Sequence, residues 1–281
     1  MRKFEERFFK VLMIAATLTI FGILLYILWV VLKRGLPSLT WDMVTRIPEG
    51  GFYLGKEGGI LNAILGSIYL VLGGVILSSL ISLPVVMFLN FYIRQQSWFA
   101  GVVRLSFDVL FGIPSIVYGA FGFTLMVFFG LKTSLLAGII VIALLITPIM
   151  IRAIDEVARL VPRELVEAPK ALGATTFETI KVLLRQLRPG ITTAILLAVG
   201  RGIGDVAVVL FTAGYTDSVP TSLGQPAATL PLAIFFQLSS PIEEVQNRAY
   251  AAALILTIII LILSFLGRYF GRKLFEKQHL T

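Results

Sequence analysis

The sequence predicts an all-α membrane protein with six transmembrane helices, and three observations predict it. The chain is 57% hydrophobic and only 14% charged, whereas water-soluble domains carry about one quarter charged residues. Its mean hydropathy is +0.93. Apolar runs near or above the roughly 20 residues needed to cross a ~30 Å hydrocarbon core recur at about 11–32, 60–89, 105–130, 134–151, 191–213 and 250–267. In lipid, backbone polar groups must be satisfied within helices or closed barrels. The length of these runs and their lack of strict alternation select helices. A single transmembrane domain over residues 1–281 is expected.

The first run follows Arg2, Lys3, Arg7 and Lys10. It is too long for a signal-peptide core and no small-residue cleavage site follows, so it reads as a retained anchor. The second run exceeds what one crossing needs, which implies tilt or extension beyond the lipid. Gly112 and Pro114 interrupt the third. Proline removes a backbone donor and frees a carbonyl, so a kink is expected there. A gate hinge and a static kink are both open readings. Ser115 is placed to bond the freed backbone or to line a path, and Asp108 to reach the headgroups at the cytoplasmic entrance. Between the fifth and sixth runs, residues 214–249 hold Pro220, Pro226, Pro231, Pro241 and the apolar stretch LAIFFQL. A short helix lying on the membrane surface is expected from that stretch.

Orientation follows from the basic residues, which accumulate on the cytoplasmic side of membrane proteins. With the N-terminus inside, cytoplasmic segments hold 17 Lys and Arg and outer segments hold 6. Both termini and the 152–190 segment are therefore placed in the cytoplasm. Lys33, Arg34, Arg46 and Lys56 in the outer segment 33–59 oppose this weakly.

Arg201 lies ten residues beyond Ile191, about 15 Å along a helix and close to mid-bilayer. An arginine there costs about 2.5–3.5 kcal/mol on insertion scales, so a compensating role is expected. Asp205 follows at i+4, on the same helical face, where it can form an ion pair. Guanidinium presents a planar fork of donors suited to an oxyanion. A carboxylate beside it neutralises the cation between binding events. A salt bridge that merely locks helices is the competing reading. Gly200 and Gly204 form a small-xxx-small face on which another helix can pack.

Residues 152–190 carry seven basic and five acidic side chains. Unlike a disordered linker, the segment also holds Leu160, Leu165, Leu172, Phe177, Leu183 and Leu187. Pro162 suits a first helical turn, with Arg163 and Glu164 following. Gly173 ends that helix, and Thr175 or Thr176 caps a second over Phe177–Leu187. Two short helices meeting at a small-residue corner fit a groove on a soluble partner. They fit equally a helix pair packed beneath the spans.

Other function classes are excluded or weakened. The chain has no cysteine, hence no disulfide or thiolate metal site. It has no G-x-x-x-x-G-K-[ST] loop, so it does not hydrolyse ATP by that route. Its single histidine, His279, is in the tail, and no metal-ligand cluster or nucleophile elbow is present. GRGIG lies in an apolar span without a preceding strand, unlike a dinucleotide fingerprint. The net charge of +8 reads as topology signal rather than as a nucleic-acid surface.

Three stretches carry a family resemblance. Glu167, Ala168 and, six residues after the Glu, Gly173 resemble the cytoplasmic "EAA" loop of ATP-binding-cassette importer permeases. Position 169 is Pro rather than Ala, and the downstream Leu-Pro falls at Arg185-Gln186, with Pro189-Gly190 a few residues later. FDVLFGIPSIVYGAF, Phe107 to Phe121, resembles the third span of phosphate-specific (Pst-type) permeases. GRGIGDVAVVLFTAG, Gly200 to Gly214, resembles their Gly-Arg-Ala-x-Gly-Glu-Thr stretch, with Asp205 for the usual Glu and Val206 for the usual Thr. The similarity covers roughly residues 60–270 and looks closest to the PstA-type subunit.

The resemblance implies the type I, MetI-like architecture and a multi-pass place in the cytoplasmic (inner) membrane of a prokaryote. It implies a transport subunit, not an enzyme, which binds no cofactor itself. Two ATPase subunits would use the ATP, a PstC-type sister would complete the permease, and a phosphate-binding protein would dock outside. On the physical grounds above, Arg201, Asp205 and Ser115 are the candidates for the substrate pathway and Gly112 and Pro114 for the gate or hinge; the resemblance adds that Glu167, Ala168 and Gly173 couple to the ATPase. Inorganic phosphate is the expected substrate. Sulfate, molybdate or tungstate is the alternative within the class. An autonomous anion channel or secondary carrier is the alternative outside it, and leaves the 152–190 loop without a purpose.

Overall fold

The computed structural model describes residues 2–50, 58–93, 97–162 and 164–276. Lys56, Arg163 and His279, named above, lie outside the described residues, as do Arg94 and Lys277 of the Lys and Arg count.

Eleven α-helices are found among the described residues: α1 (Arg2–Gly35), α2 (Trp41–Thr45), α3 (Leu61–Met87), α4 (Trp98–Gly112), α5 (Ser115–Phe128), α6 (Leu135–Arg159), α7 (Glu164–Ala171), α8 (Thr176–Ile203), α9 (Ala207–Thr212), α10 (Leu230–Leu238) and α11 (Glu243–Glu276). A π-helical turn, Phe88–Tyr92, continues α3. Five helices are long and apolar enough to cross a membrane: α1, α3, α6, α8 and α11. The pair α4 and α5, bent by 99° at their junction, supplies a sixth as a broken span.

The core forms where α3, α6 and α8 meet, around Leu70, Ile142, Ile146, Met150, Leu187 and Ala198, all nearly or fully buried. Small residues bring these helices together, the usual way spans pack where lipid offers no hydrophobic drive between them. A Cβ on Gly74 would stand 2.7 Å from Ile142 Cγ2, and one on Gly138 2.5 Å from Leu70 Cδ2. Inside this core the Thr147 hydroxyl donates to Ser78 Oγ, and Ser78 donates to Met150 Sδ, each at 3.1 Å. By contrast, large side chains on α1, such as Phe21, Tyr26 and Trp29, are exposed, as lipid-facing residues must be.

Four elements depart from the sequence expectation. The third span is not a kinked rod: α4 stops at Gly112 and α5 begins at Ser115. Pro114 cannot donate to Leu110, four residues back; that carbonyl instead accepts the Tyr118 hydroxyl at 2.9 Å. The Ile113 N–H, at 3.1 Å, is its second donor, so Tyr118 and Ile113 make the backbone repair that was one of the two readings of Ser115. The helix expected over Phe177–Leu187 does not end there but runs on through Pro189 to Ile203. Packing overrides the proline: Leu183, Leu187, Gly190 and Ala194 are buried, and a Cβ on Gly190 would meet Val157 at 2.9 Å. The fifth span is then broken between Ile203 and Ala207. Finally, the LAIFFQL stretch forms the expected short helix, but one face of it is buried in the protein while Phe235, Phe236 and Leu238 stay exposed. Leu230, Leu232, Ala233 and Gln237 are at most 1% exposed, and α10 packs on α3 and α11. Ser67 Oγ accepts the Leu230 N–H at 2.8 Å.

Candidate functional site

Arg201 occupies the last turn of α8, where the partial negative charge of the terminal carbonyls favours a cation. The helix ends two residues later, and the chain turns through Gly204, Asp205 and Val206 into α9. Asp205 holds both sides of this break. Its Oδ2 pairs with Arg201 Nη1 at 3.0 Å, and its Oδ1 accepts the Val208 N–H at 2.9 Å. The second contact satisfies a backbone donor at the start of α9, the work of an N-terminal cap. The sequence reading placed the pair on one face of a continuous helix; it instead bridges two half-helices. Non-helical backbone at membrane depth is tolerated where it is buried in protein or lines a water-filled path.

The two partners differ in exposure. The Asp205 side chain is 2% exposed and that of Arg201 45%. The carboxylate is therefore fixed, while the guanidinium keeps a face open beyond this chain. Gly200 has nothing within 4 Å of an added Cβ, and Gly204 meets only the Gly200 carbonyl at 3.9 Å. Among the described residues no side chain closes on these two exposed glycines, although Gly200 shares a small cavity with Ile260, Leu263 and Ser264 of α11.

Across the break, α5 grips α9. A Cβ on Gly119 would lie 2.5 Å from the Ala207 carbonyl oxygen, and one on Gly122 would lie 3.2 Å from Thr212 Cγ2. The broken third span thus leans on the broken fifth. Ser115 stands in the first turn of α5, partly buried, and makes no hydrogen bond with Arg201 or Asp205. Gly112 and Pro114 are exposed at the junction of α4 and α5.

Glu167, Ala168 and Gly173 lie on a separate feature. α7 has no buried residue, and Gly173 turns the chain at φ +83°, a conformation that favours glycine. Thr175 then caps α8 with a reciprocal capping box: its hydroxyl oxygen accepts the Glu178 N–H, and Glu178 Oε2 accepts the Thr175 N–H at 2.7 Å. Around this corner Leu160, Leu172 and Phe177 are 80%, 90% and 76% exposed. Three large apolar side chains in one polar segment mark a contact surface. Thr175→Ala is expected to free the first turn of α8, with about fivefold faster hydrogen exchange at Phe177–Thr179, the size of one lost cap.

The family described as "Binding-protein-dependent transport system inner membrane component" matches residues 82–276. Among curated proteins, the chain is 36% identical over 99% of its length to the "Phosphate transport system permease protein PstA" of Yersinia pestis, covering 92% of that protein. It is 34% identical over 88% of its length to the protein of the same name from Haemophilus influenzae, covering 86% of it. The chain belongs to the PstA-type permease family. Among solved structures, an inward-facing form of the MetNI methionine ABC transporter superposes with TM-score 0.61 at 20% identity, over 76% of this chain and 95% of that one. The likeness shows the shared MetI-like fold.

As a PstA-type permease, the chain is a multi-pass membrane subunit without catalytic machinery of its own. One polar assembly lies outside the motifs that carry the family resemblance. Asp155 on α6, 7% exposed at its side chain, receives Arg104 Nε of α4 at 3.0 Å and Arg159 Nη2 at 2.7 Å. Asn90 Nδ2, from the π turn after α3, donates to Asp155 Oδ1 at 2.6 Å. Beside it Arg152 pairs with Asp108 and, at 3.5 Å, with Glu156. Asp108, expected in the headgroups, is thus tied to α6. A cavity of about 150 Å³ lies among these groups. A signal existed in the sequence: Asn90, Arg104 and Asp155 all fall at ends of apolar runs. Nothing in their spacing showed that they meet.

Proposed function

We propose that this chain is the permease subunit of an ATP-driven importer that moves inorganic phosphate from outside the cell to the cytoplasm. The observation that carries the reading is the guanidinium of Arg201, half-exposed at the break in the fifth span and held by a buried Asp205, in a chain this similar to proteins named phosphate permeases. A planar donor fork suits phosphate oxygens. Asp205 keeps the site neutral when it is empty and competes with the anion, so that phosphate leaves again. Ser115 contributes to the same pathway, and the α4–α5 junction at Gly112 and Pro114 serves as gate or hinge.

Completion of the machine follows from its energetics. The chain has no phosphate-binding loop, so two ATPase subunits bind the ATP, and the corner at Glu167, Ala168 and Gly173 couples to them. A PstC-type sister covers the open Gly200/Gly204 face, and a phosphate-binding protein delivers the anion from outside. The assembly sits in the inner membrane of a prokaryote, and residues 1–281 act as one permease domain. ATP binding closes the ATPase pair, levers the 152–190 segments and opens the paired spans outward. Hydrolysis reopens them inward.

Co-expression with the neighbouring transport genes tests this reading. The wild-type chain is expected to co-purify with an ATPase and to support phosphate uptake that stops when ATP is depleted. Gly173→Arg, which places a side chain at positive φ on the exposed corner, is expected to abolish both. Uptake that persists without any ATPase would overturn the reading in favour of a channel or secondary carrier.

A further inference from the structure

The Asn90, Arg104, Asp155 and Arg159 cluster takes no part in the proposed pathway, yet it buries a carboxylate among three helical elements. Three arginines and three carboxylates line its cavity, so their charges cancel and no anion is attracted there. The arrangement is a tie rather than a binding site. Asp155 offers two oxygens, and both are used: Oδ1 accepts Asn90 at 2.6 Å and Arg104 Nη2 at 3.2 Å, and Oδ2 accepts Arg104 Nε at 3.0 Å. The Arg104 contact is bidentate, which fixes orientation as well as distance. Arg104 also donates to Asn90 Oδ1 at 3.2 Å, so the three side chains close a ring.

Position gives the tie its meaning. α6 ends at Arg159, and only Leu160–Pro162 and residue 163 separate it from α7. Movement imposed on α7 therefore reaches the inner end of α6 directly. Apart from the half-exposed Arg152–Asp108 pair, α4 is lightly anchored: among its residues only Ala100 is buried, and Trp98, Phe99, Leu105 and Val109 face outward. Beyond α4 lies the 99° junction with α5, and α5 is pressed onto α9 at Gly119. We infer that the Arg104–Asp155 pair, closed by Asn90, is a positioning latch that makes α4 follow α6, so that movement of the coupling corner is handed to the broken third span. The inference rests on the proposed ATP-driven reading for its role in transport, but not for its geometry.

Two readouts test it in the full chain assembled with its partner subunits in lipid nanodiscs. The chain lacks cysteine, so spin labels at Leu105→Cys on α4 and Leu144→Cys on α6 report one distance. The wild-type pair is expected to give one narrow distribution that stays narrow when a non-hydrolysable ATP analogue is added. Arg104→Gln and Asp155→Asn are each expected to broaden or split it, and Arg104→Lys to restore it in part. A distribution equally narrow in both neutral variants overturns the latch, because apolar packing and the Arg152–Asp108 pair would then suffice to hold α4. In vesicles, the same variants are expected to lose about tenfold in uptake, within the usual range of coupling between sites, while ATP hydrolysis continues. Uptake and hydrolysis falling together overturn the coupling role. Failure of the wild-type assembly to carry phosphate would instead overturn the substrate reading, and leaves the label distances standing as the test of the latch.

Discussion

Arg201→Ala is expected to reduce phosphate uptake between about tenfold and a hundredfold, the loss of one or two hydrogen bonds from a charged donor, while the complex still assembles. Assembly survives because Arg201 is half-exposed and not part of the packed core. The variant leaves Asp205 buried without its cation, but Asp205 keeps the Val208 N–H. Arg201→Lys separates charge from shape: it retains the cation but not the fork, so uptake is expected to recover only partly. Asp205→Asn is expected to behave differently from both. It preserves the cap on α9 and removes the competing charge, so phosphate is held longer and turnover falls while apparent affinity rises. Radiolabelled uptake over a range of phosphate concentrations distinguishes the three. Normal uptake by Arg201→Ala would reduce the pair to a structural salt bridge.

Gly119→Val is expected to abolish transport by a different route. Its Cβ would stand 2.5 Å from the Ala207 carbonyl oxygen and 3.2 Å from Val208 Cα, and backbone does not yield as a flexible side chain does. Overpacking of this kind costs about 1–3 kcal/mol or more, and it pushes α5 off the segment that follows Asp205. Thermal stability of the purified complex is expected to fall together with uptake. Gly112→Ala is the informative comparison. Nothing lies within 4 Å of its added Cβ, so folding is unaffected. If the junction is a moving hinge, uptake falls with stability unchanged; if it is a static bend, uptake is normal.

Part of this architecture was legible in the residues and part was not. The helical spans were legible because length and hydropathy decide membrane crossing almost alone. The Arg201–Asp205 contact was legible because i+4 spacing brings side chains together. The break between them was not, since three glycines in a helix of this kind read equally as close packing; only the cap from Asp205 to Val208 reveals that a new helix starts. The helix expected over Phe177–Leu187 was too short, and Pro189 lies just beyond its expected end. It signals a helix end, but burial of Leu187, Gly190 and Ala194 against neighbouring helices carries α8 through it. The Gly173 corner was readable from a positive-φ glycine followed by a capping threonine. That Asn90, Arg104 and Asp155 close a ring was not legible, although each stands at the end of an apolar run, because they are 14 and 51 residues apart and tertiary structure alone brings them together.

The central claim is that this permease carries phosphate, and oxyanion competition tests it most directly. Cells lacking their own high-affinity phosphate system would receive this chain with its neighbouring transport genes, and uptake of radiolabelled phosphate would be followed against excess sulfate, molybdate or unlabelled phosphate. The account predicts ATP-dependent uptake that unlabelled phosphate suppresses and the other two anions leave intact. Absence of phosphate uptake, with sulfate or molybdate carried in its place, would contradict it.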